Sequence, residues 1–143
     1  MSRVRINMPL SILFKTELPV RITDINYGGH VGNDSILSIV HEIRVQFLKS
    51  LHYDEFNVAG AGLIMSDAVI EFKNELFYGE IILASLSVEN ISKVSFDLFY
   101  KLEKNIGEET VIVAIVKTGM VCYDYSAKKI IPVPKEFIEK IQF

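Results

Sequence analysis

The chain has no tryptophan and one cysteine in 143 residues. One thiol cannot staple a fold, so no disulfide framework is available and a reduced, cytoplasmic protein is expected. Cys122 stands inside an apolar run, the setting of a small buried side chain; apolar surroundings suppress the thiolate a nucleophile needs. No run approaches the 18 apolar residues of a membrane span, and no membrane partner is expected. The opening "MSRVRINMPLSILFK" has basic residues, but its apolar part is too short and broken for a signal peptide. Neither charge sign dominates: 15 basic and 18 acidic residues leave a formal −3, which gives no broad attraction to nucleic acid or anionic lipid. Repeats, low-complexity tracts and linkers are absent. With half its residues hydrophobic, the chain reads as one domain over 1–143, long enough for a real core.

What is present is organised by period. Residues 14–23, "FKTELPVRIT", alternate, with Phe14, Thr16, Leu18, Val20 and Ile22 on one face, which predicts a strand with one buried side. Pro19 donates no ladder hydrogen bond, so an edge position is expected. From residue 34 to 52 the spacing becomes helical: Ile36, Val40, Ile43, Phe47 and Leu51 recur, opposite a narrow polar stripe of Ser35, Ser38, Glu42, Gln46 and Lys49. So wide an apolar face predicts a helix wrapped by other structure, with Asn33 or Asp34 as its N-cap. After "AGAG" at 59–62 come strand patterns near 62–73, 80–90, 94–103 and 109–123, then a short helix, "KEFIEKIQF", behind Pro132 and Pro134. "TVIVAIV" (110–116) is apolar on both faces and predicts a central strand, while "EKNIGEE" (103–109) predicts a hairpin loop around Gly107. Short connections make the sheet antiparallel. The fold class is α+β: a curled five-stranded sheet around one long helix, with a short terminal helix.

Polarity and backbone freedom concentrate at one junction, "DINYGGHVGND", residues 24–34, between the first strand and the long helix. Taken singly, each residue has a plain structural use. Gly28, Gly29 and Gly32 permit tight turns, Asn33 and Asp34 cap the helix, and Asp24 and His30 satisfy the loop. Together they form a candidate site. Glycines ahead of a helix let a ligand approach amides that point outward with positive potential, and such amides stabilise a developing oxyanion. Asp24 and Asn26, two apart, face one side if the strand continues. An acid, an amide, an imidazole and free N–H groups can polarise a carbonyl and orient a water.

The stretch "RITDINYGGHVGNDSILSIVHEIRVQFL" resembles the hotdog-fold acyl-CoA thioesterases of the 4-hydroxybenzoyl-CoA thioesterase type. Their signature runs approximately D-x-D-x-x-G-H-V-x-N, followed by a helix carrying E-x-x-R. The matching positions are Asp24, Asn26, Gly29, His30, Val31, Asn33, Glu42 and Arg44, the last two separated by one residue rather than two. "FKNELFYGEIILASLSVENIS" and "VIVAIVKTGMVCYDYSAKKIIPVPKEFIEKI" are similar to the family's middle and terminal strands, so the likeness covers nearly the whole chain. It implies a hotdog fold and hydrolysis of an acyl-CoA or acyl-carrier thioester. No cofactor or metal is implied, since coenzyme A enters as part of the substrate. Asp24, Asn26 and His30 become the catalytic candidates, and Gly28, Gly29, Val31, Asn33 and Asp34 the substrate-binding ones.

One departure matters. The family's carboxylate four residues before the histidine is Asn26 here, and an amide takes no proton at neutral pH. Asp24 is the expected substitute, with Glu42 and Asp67 as further acids to consider. Two other readings stay open: an enoyl-CoA hydratase-like hotdog enzyme, although His30 lies six rather than five residues after Asp24, and a non-catalytic acyl-thioester binding protein. Unclosed sheet edges favour self-association, so a homodimer or homotetramer is expected. Acyl length and type are not legible in the sequence.

Overall fold

The computed structural model describes residues 3–142. Strand β1 (Phe14–Pro19) leads through a 3-10 turn (Ile22–Asp24) to helix α1 (Asn33–Ser50). Strands β2 (Gly62–Phe72), β3 (Ile81–Glu89), β4 (Ser95–Ile106) and β5 (Glu109–Asp124) follow, then a two-residue strand β6 (Lys129–Ile130) and helix α2 (Lys135–Ile141). All pairings are antiparallel, in the order β1-β3-β4-β5-β2, with β6 added to the end of β5. This is the expected hotdog arrangement with one short strand more than the sequence revealed.

Helix α1 buries Ile36, Ile39, Val40, Ile43, Phe47 and Leu48. Against them the sheet presents Leu86, Phe96, Leu98, Leu102, Val116 and Met120, all buried in the same cluster. Hiding that many apolar side chains from water is the main stabilising term, at roughly 1.5–3 kcal/mol per fully buried Leu, Ile, Val, Phe or Met. The outer side of α1 stays open, with Leu37, Val45 and the polar stripe around Glu42 exposed. Of the run 110–116, residues 113–116 are buried on both faces, while Thr110 is exposed and Val111 and Ile112 are half-buried. Ala114 and Val116 face α1, and Ile115 faces the opposite side, where residues 4–7 lie near Val69, Phe99 and Lys117. The Ile6 amide ties that segment to Glu71 at 2.9 Å.

One charged network holds α1 in place. Arg44 is buried, donating through Nε to Glu55 at 2.8 Å and through Nη1 to the Tyr100 hydroxyl at 3.1 Å, which in turn meets Thr118 at 2.9 Å. His41 reaches the other Glu55 oxygen at 2.6 Å. Burial opposes the charge on Glu55, but Arg44 and His41 outweigh it and hold the carboxyl below its ordinary range.

Three expectations of the local pattern fail. The first strand ends at Pro19 rather than residue 23, because the Asp24 carboxylate accepts the Arg21 amide at 2.9 Å and curls the chain into the 3-10 turn. Ile22, read as core-facing, is therefore 67% exposed. The helix is capped by Gly32, with no side-chain cap from Asn33 or Asp34. The hairpin loop shrinks to Gly107 and Glu108, since β4 continues to Ile106, with Gly107 at φ 63°. Polar residues at 103–105 hid the end of that strand. The end of "KEFIEKIQF" reaches Phe143, which lies outside the described residues.

Candidate active site

The junction is a small hairpin rather than a continuing strand. Ile25 and Val31 form an antiparallel bridge, the Asn26 amide donates to the His30 carbonyl at 2.9 Å, and Gly29 donates to the Asn26 carbonyl at 3.1 Å. Gly29 sits at φ 85°, in the left-handed region that favours glycine. Gly28 serves differently: a Cβ there would stand 3.2 Å from Asn26 Oδ1 and 3.5 Å from His30 Nε2. The turn therefore sets the Asn26 and His30 side chains beside each other.

Their free atoms are defined by their occupied ones. Asn26 Oδ1 accepts the Gly28 amide at 2.9 Å, which leaves the Nδ2 hydrogens to donate outward. His30 Nδ1 lies 3.1 Å from the Val31 carbonyl. A carbonyl only accepts, so Nδ1 carries the hydrogen and Nε2 presents a lone pair in the neutral ring. At the start of α1 the Asp34 amide is taken by Asn33 Oδ1 at 3.0 Å and the Ser35 amide by the Gly32 carbonyl at 3.1 Å. The Asn33 amide has no acceptor among the described residues, and it sits at the positive end of an 18-residue helix.

Asn26, His30 and Asn33 line a cavity of about 380 Å³. Its polar wall is Asn26, His30, Asn33, Lys73, Asn74 and Glu75; its apolar wall is Val31, Ile36, Phe72, Leu76 and Val113. The far wall depends on a β-bulge. Leu102 pairs with Ala114 and Glu103 with Ile112, so Val113 is left out of the β4 ladder. Its carbonyl accepts the Lys73 amide at 2.8 Å and the Asn74 amide at 3.0 Å. Asn74 Nδ2 donates to the Ile112 carbonyl at 2.7 Å, and the Val31 amide donates to the Leu76 carbonyl at 2.8 Å, joining the two walls. The segment 73–76 and the bulged Val113 were not singled out from sequence. The nearest signal was the polar end, "KNE", of a strand pattern.

Of the residues expected at the site, the cavity gathers Asn26, His30, Val31 and Asn33. Gly28, Gly29 and Asp34 shape the loop and helix start without lining it. Asp24 and Asn26 do not share a face, because the 3-10 turn intervenes. The Asp24 carboxylate turns back onto Arg21, meeting its amide at 2.9 Å, Nε at 3.4 Å and Nη2 at 3.2 Å, with only 5% of the side chain exposed. It lines a separate cleft of about 240 Å³ with Glu42 and Gln46. There Gln46 Nε2 donates to Glu42 at 2.8 Å, and Thr16 donates to Gln46 at 2.6 Å. Asp67 is elsewhere again, on β2, accepting from Lys117 Nζ and the Gly119 amide at 2.9 Å each. The hydrogen bond from Lys117 lowers its pKa.

A family model described as the thioesterase-like superfamily matches residues 20–141. The chain is 32% identical over 120 residues to a 1,4-dihydroxy-2-naphthoyl-CoA hydrolase of Microcystis aeruginosa, covering 81% of this chain and 83% of that one. The structure of a 1,4-dihydroxy-2-naphthoyl-CoA thioesterase from Synechocystis superposes with a TM-score of 0.79 at 25% identity, over 90% of this chain and 94% of the other. A 4-hydroxybenzoyl-CoA thioesterase, solved as an aspartate-to-asparagine mutant complexed with 4-hydroxybenzoyl-CoA, superposes with a TM-score of 0.81 over 90% of this chain and 98% of that one. At 14% identity, that likeness shows the fold alone. The family match spans most of the chain, including the junction and the long helix, and the chain therefore belongs to the thioesterase-like superfamily and is by class a thioester hydrolase.

Proposed function

We propose that this cavity hydrolyses an aromatic acyl-CoA thioester. The observation that carries the reading is that Asn26, His30 and Asn33 line one cavity while Asn26 Nδ2, His30 Nε2 and the Asn33 amide have no protein partners among the described residues. The Asn33 amide and Asn26 Nδ2 supply donors to a carbonyl oxygen that gains negative charge as water adds. Each donor of that kind is typically worth about 10²–10³-fold in kcat. His30 Nε2, a lone pair, orients the attacking water. The apolar wall has room for a one- or two-ring acyl group, and the names of the relatives, a dihydroxynaphthoyl-CoA hydrolase among them, point the same way.

We propose further that two copies pair along β2. That strand pairs with β5 on one side and has no strand on its outer side among the described residues. Ile64 and Met65 on it are 37% and 44% exposed, beside Leu37 at 38%. An unpaired edge flanked by apolar side chains is a template for a second strand. Sedimentation is expected to show a dimer, and Met65→Lys to weaken it; a monomer at high micromolar concentration contradicts this pairing.

The test of the activity is a panel of aromatic and aliphatic acyl-CoAs with free-thiol detection, run beside an enoyl-CoA hydration assay. Thiol release, fastest with aromatic acyl groups, is expected. Loss of enoyl absorbance without thiol release, or silence in both assays, contradicts the reading.

A further inference from the structure

We propose that Glu75 is the general base of the hydrolysis, taking the proton from the water that attacks the thioester carbonyl. The inference rests on the reading of the cavity just given. Asn26 cannot accept that proton, and Asp24, Glu42 and Asp67 point elsewhere with their carboxylates hydrogen-bonded. Glu75 is the one acidic residue lining the cavity, and its carboxylate has no hydrogen bond or ion pair among the described residues. Lys73, the cation on the same wall, is paired instead with Glu71 at 3.2 Å.

An unpaired surface glutamate is ordinary. A backbone pinned this thoroughly beneath one is not. The Glu75 carbonyl accepts Lys104 Nζ at 2.7 Å, and that ammonium, on a side chain 7% exposed, also pairs with Glu80 at 3.0 Å. Glu80 Oε1 takes the Phe77 amide at 2.7 Å, closing the loop on itself. On one side Asn74 is bonded to β5 through both its amide and its side chain; on the other, the Leu76 carbonyl is bonded to Val31. A buried ammonium is costly unless paired. Here it is committed to fixing the main chain of the residue whose carboxylate is left unbonded. Fixed backbone with a free functional group is what a positioned base requires.

In the step, the water oxygen bonds to the thioester carbon as its proton passes to Glu75. The carbonyl electron pair moves onto oxygen, facing the Asn33 amide and Asn26 Nδ2. Collapse of that oxyanion breaks the carbon–sulfur bond. The pair leaves on sulfur, and Glu75 returns the proton to give free thiol; the acid formed loses its own proton to solvent.

The test uses the full chain and whichever acyl-CoA of the panel releases thiol fastest. Glu75→Gln is expected to lower kcat by about 10²–10⁴-fold, with KM and melting temperature nearly unchanged. Glu139→Gln on α2 should keep wild-type kcat. Glu75→Ala should regain rate in proportion to added formate, a recovery that a merely structural role would not show. Glu75→Gln retaining more than a tenth of kcat overturns the assignment. So does a Glu75→Ala defect that formate does not relieve while imidazole relieves His30→Ala, since the base would then be His30. If Asn26→Leu still hydrolyses normally, the cavity reading itself fails; if only Glu75→Gln does, the cavity stands and Glu75 is removed. A wild-type chain that releases no thiol overturns both.

Discussion

Two clefts, one lined by Asp24 and the other by Asn26, hold similar polar groups in opposite states. In the smaller one Asp24 is satisfied by Arg21 and Glu42 by Gln46, with Thr16 completing the set. In the larger one Asn26, His30, Asn33 and Glu75 each keep an atom that no group among the described residues uses. The residues 24 and 26 stand on either side of this division although only two positions separate them. A polar group with its bonds made inside the protein is part of the scaffold. One held rigidly with a bond left to make is available for chemistry. By that criterion Asp24, the obvious acid of the junction, orders the turn and leaves proton transfer to another residue.

Blocking the larger cleft should have the greatest effect. Ile36→Trp fills the apolar wall, costs about 1–3 kcal/mol through overpacking, and is expected to abolish thiol release while circular dichroism still shows a folded chain. Residual hydrolysis above a tenth would place the substrate elsewhere.

Asn26→Asp comes next, and it sharpens the contrast because it adds a second acid to the lining of the cavity that holds Glu75. The new oxygen cannot donate to an oxyanion, and like charges resist a shared site. Hydrolysis is expected to fall; a rise would mean that Asn26 marks lost chemistry.

In the smaller cleft, Asp24→Asn should act on stability. Replacing a buried carboxylate that accepts from an arginine costs about 1.5–3 kcal/mol, read as a lower urea midpoint.

A pH series separates both clefts from the Arg44 network. Glu55 has its pKa lowered in the folded chain, so its contribution is complete above the ordinary glutamate value of about 4.3 and is lost as pH falls through the depressed one. The urea midpoint should decline across that acid range, and decline less in Arg44→Met. An equal decline in both would detach Glu55 from Arg44. Glu42→Gln should do least, within about 0.5 kcal/mol in stability and twofold in kcat.

The scaffold was legible because its elements carry strong periods: Ile36 to Phe47 at helical spacing, Phe96 to Leu102 in alternation. His30, Val31 and Asn33 were legible because they sit at the helix start, where local geometry suffices. Two things were not. The alternation through Val20 and Ile22 reads as strand, and nothing local announces that Asp24 will bend the chain by capping Arg21. The far wall joins residue 74 to residues 112 and 113 through a bulge, a contact across 38 positions with no local pattern. Glu75 looks like any solvated acid until that contact places it.

The most direct measurement of the division between the clefts is kcat for thiol release in Asp24→Asn and Asn26→Leu, determined side by side on the same acyl-CoA. Asn26→Leu should be slower than wild type by about 10²–10³-fold, the value of a lost oxyanion donor, with Asp24→Asn within a few-fold of wild type. The reverse order, with Asp24→Asn crippled and Asn26→Leu active, would contradict the account.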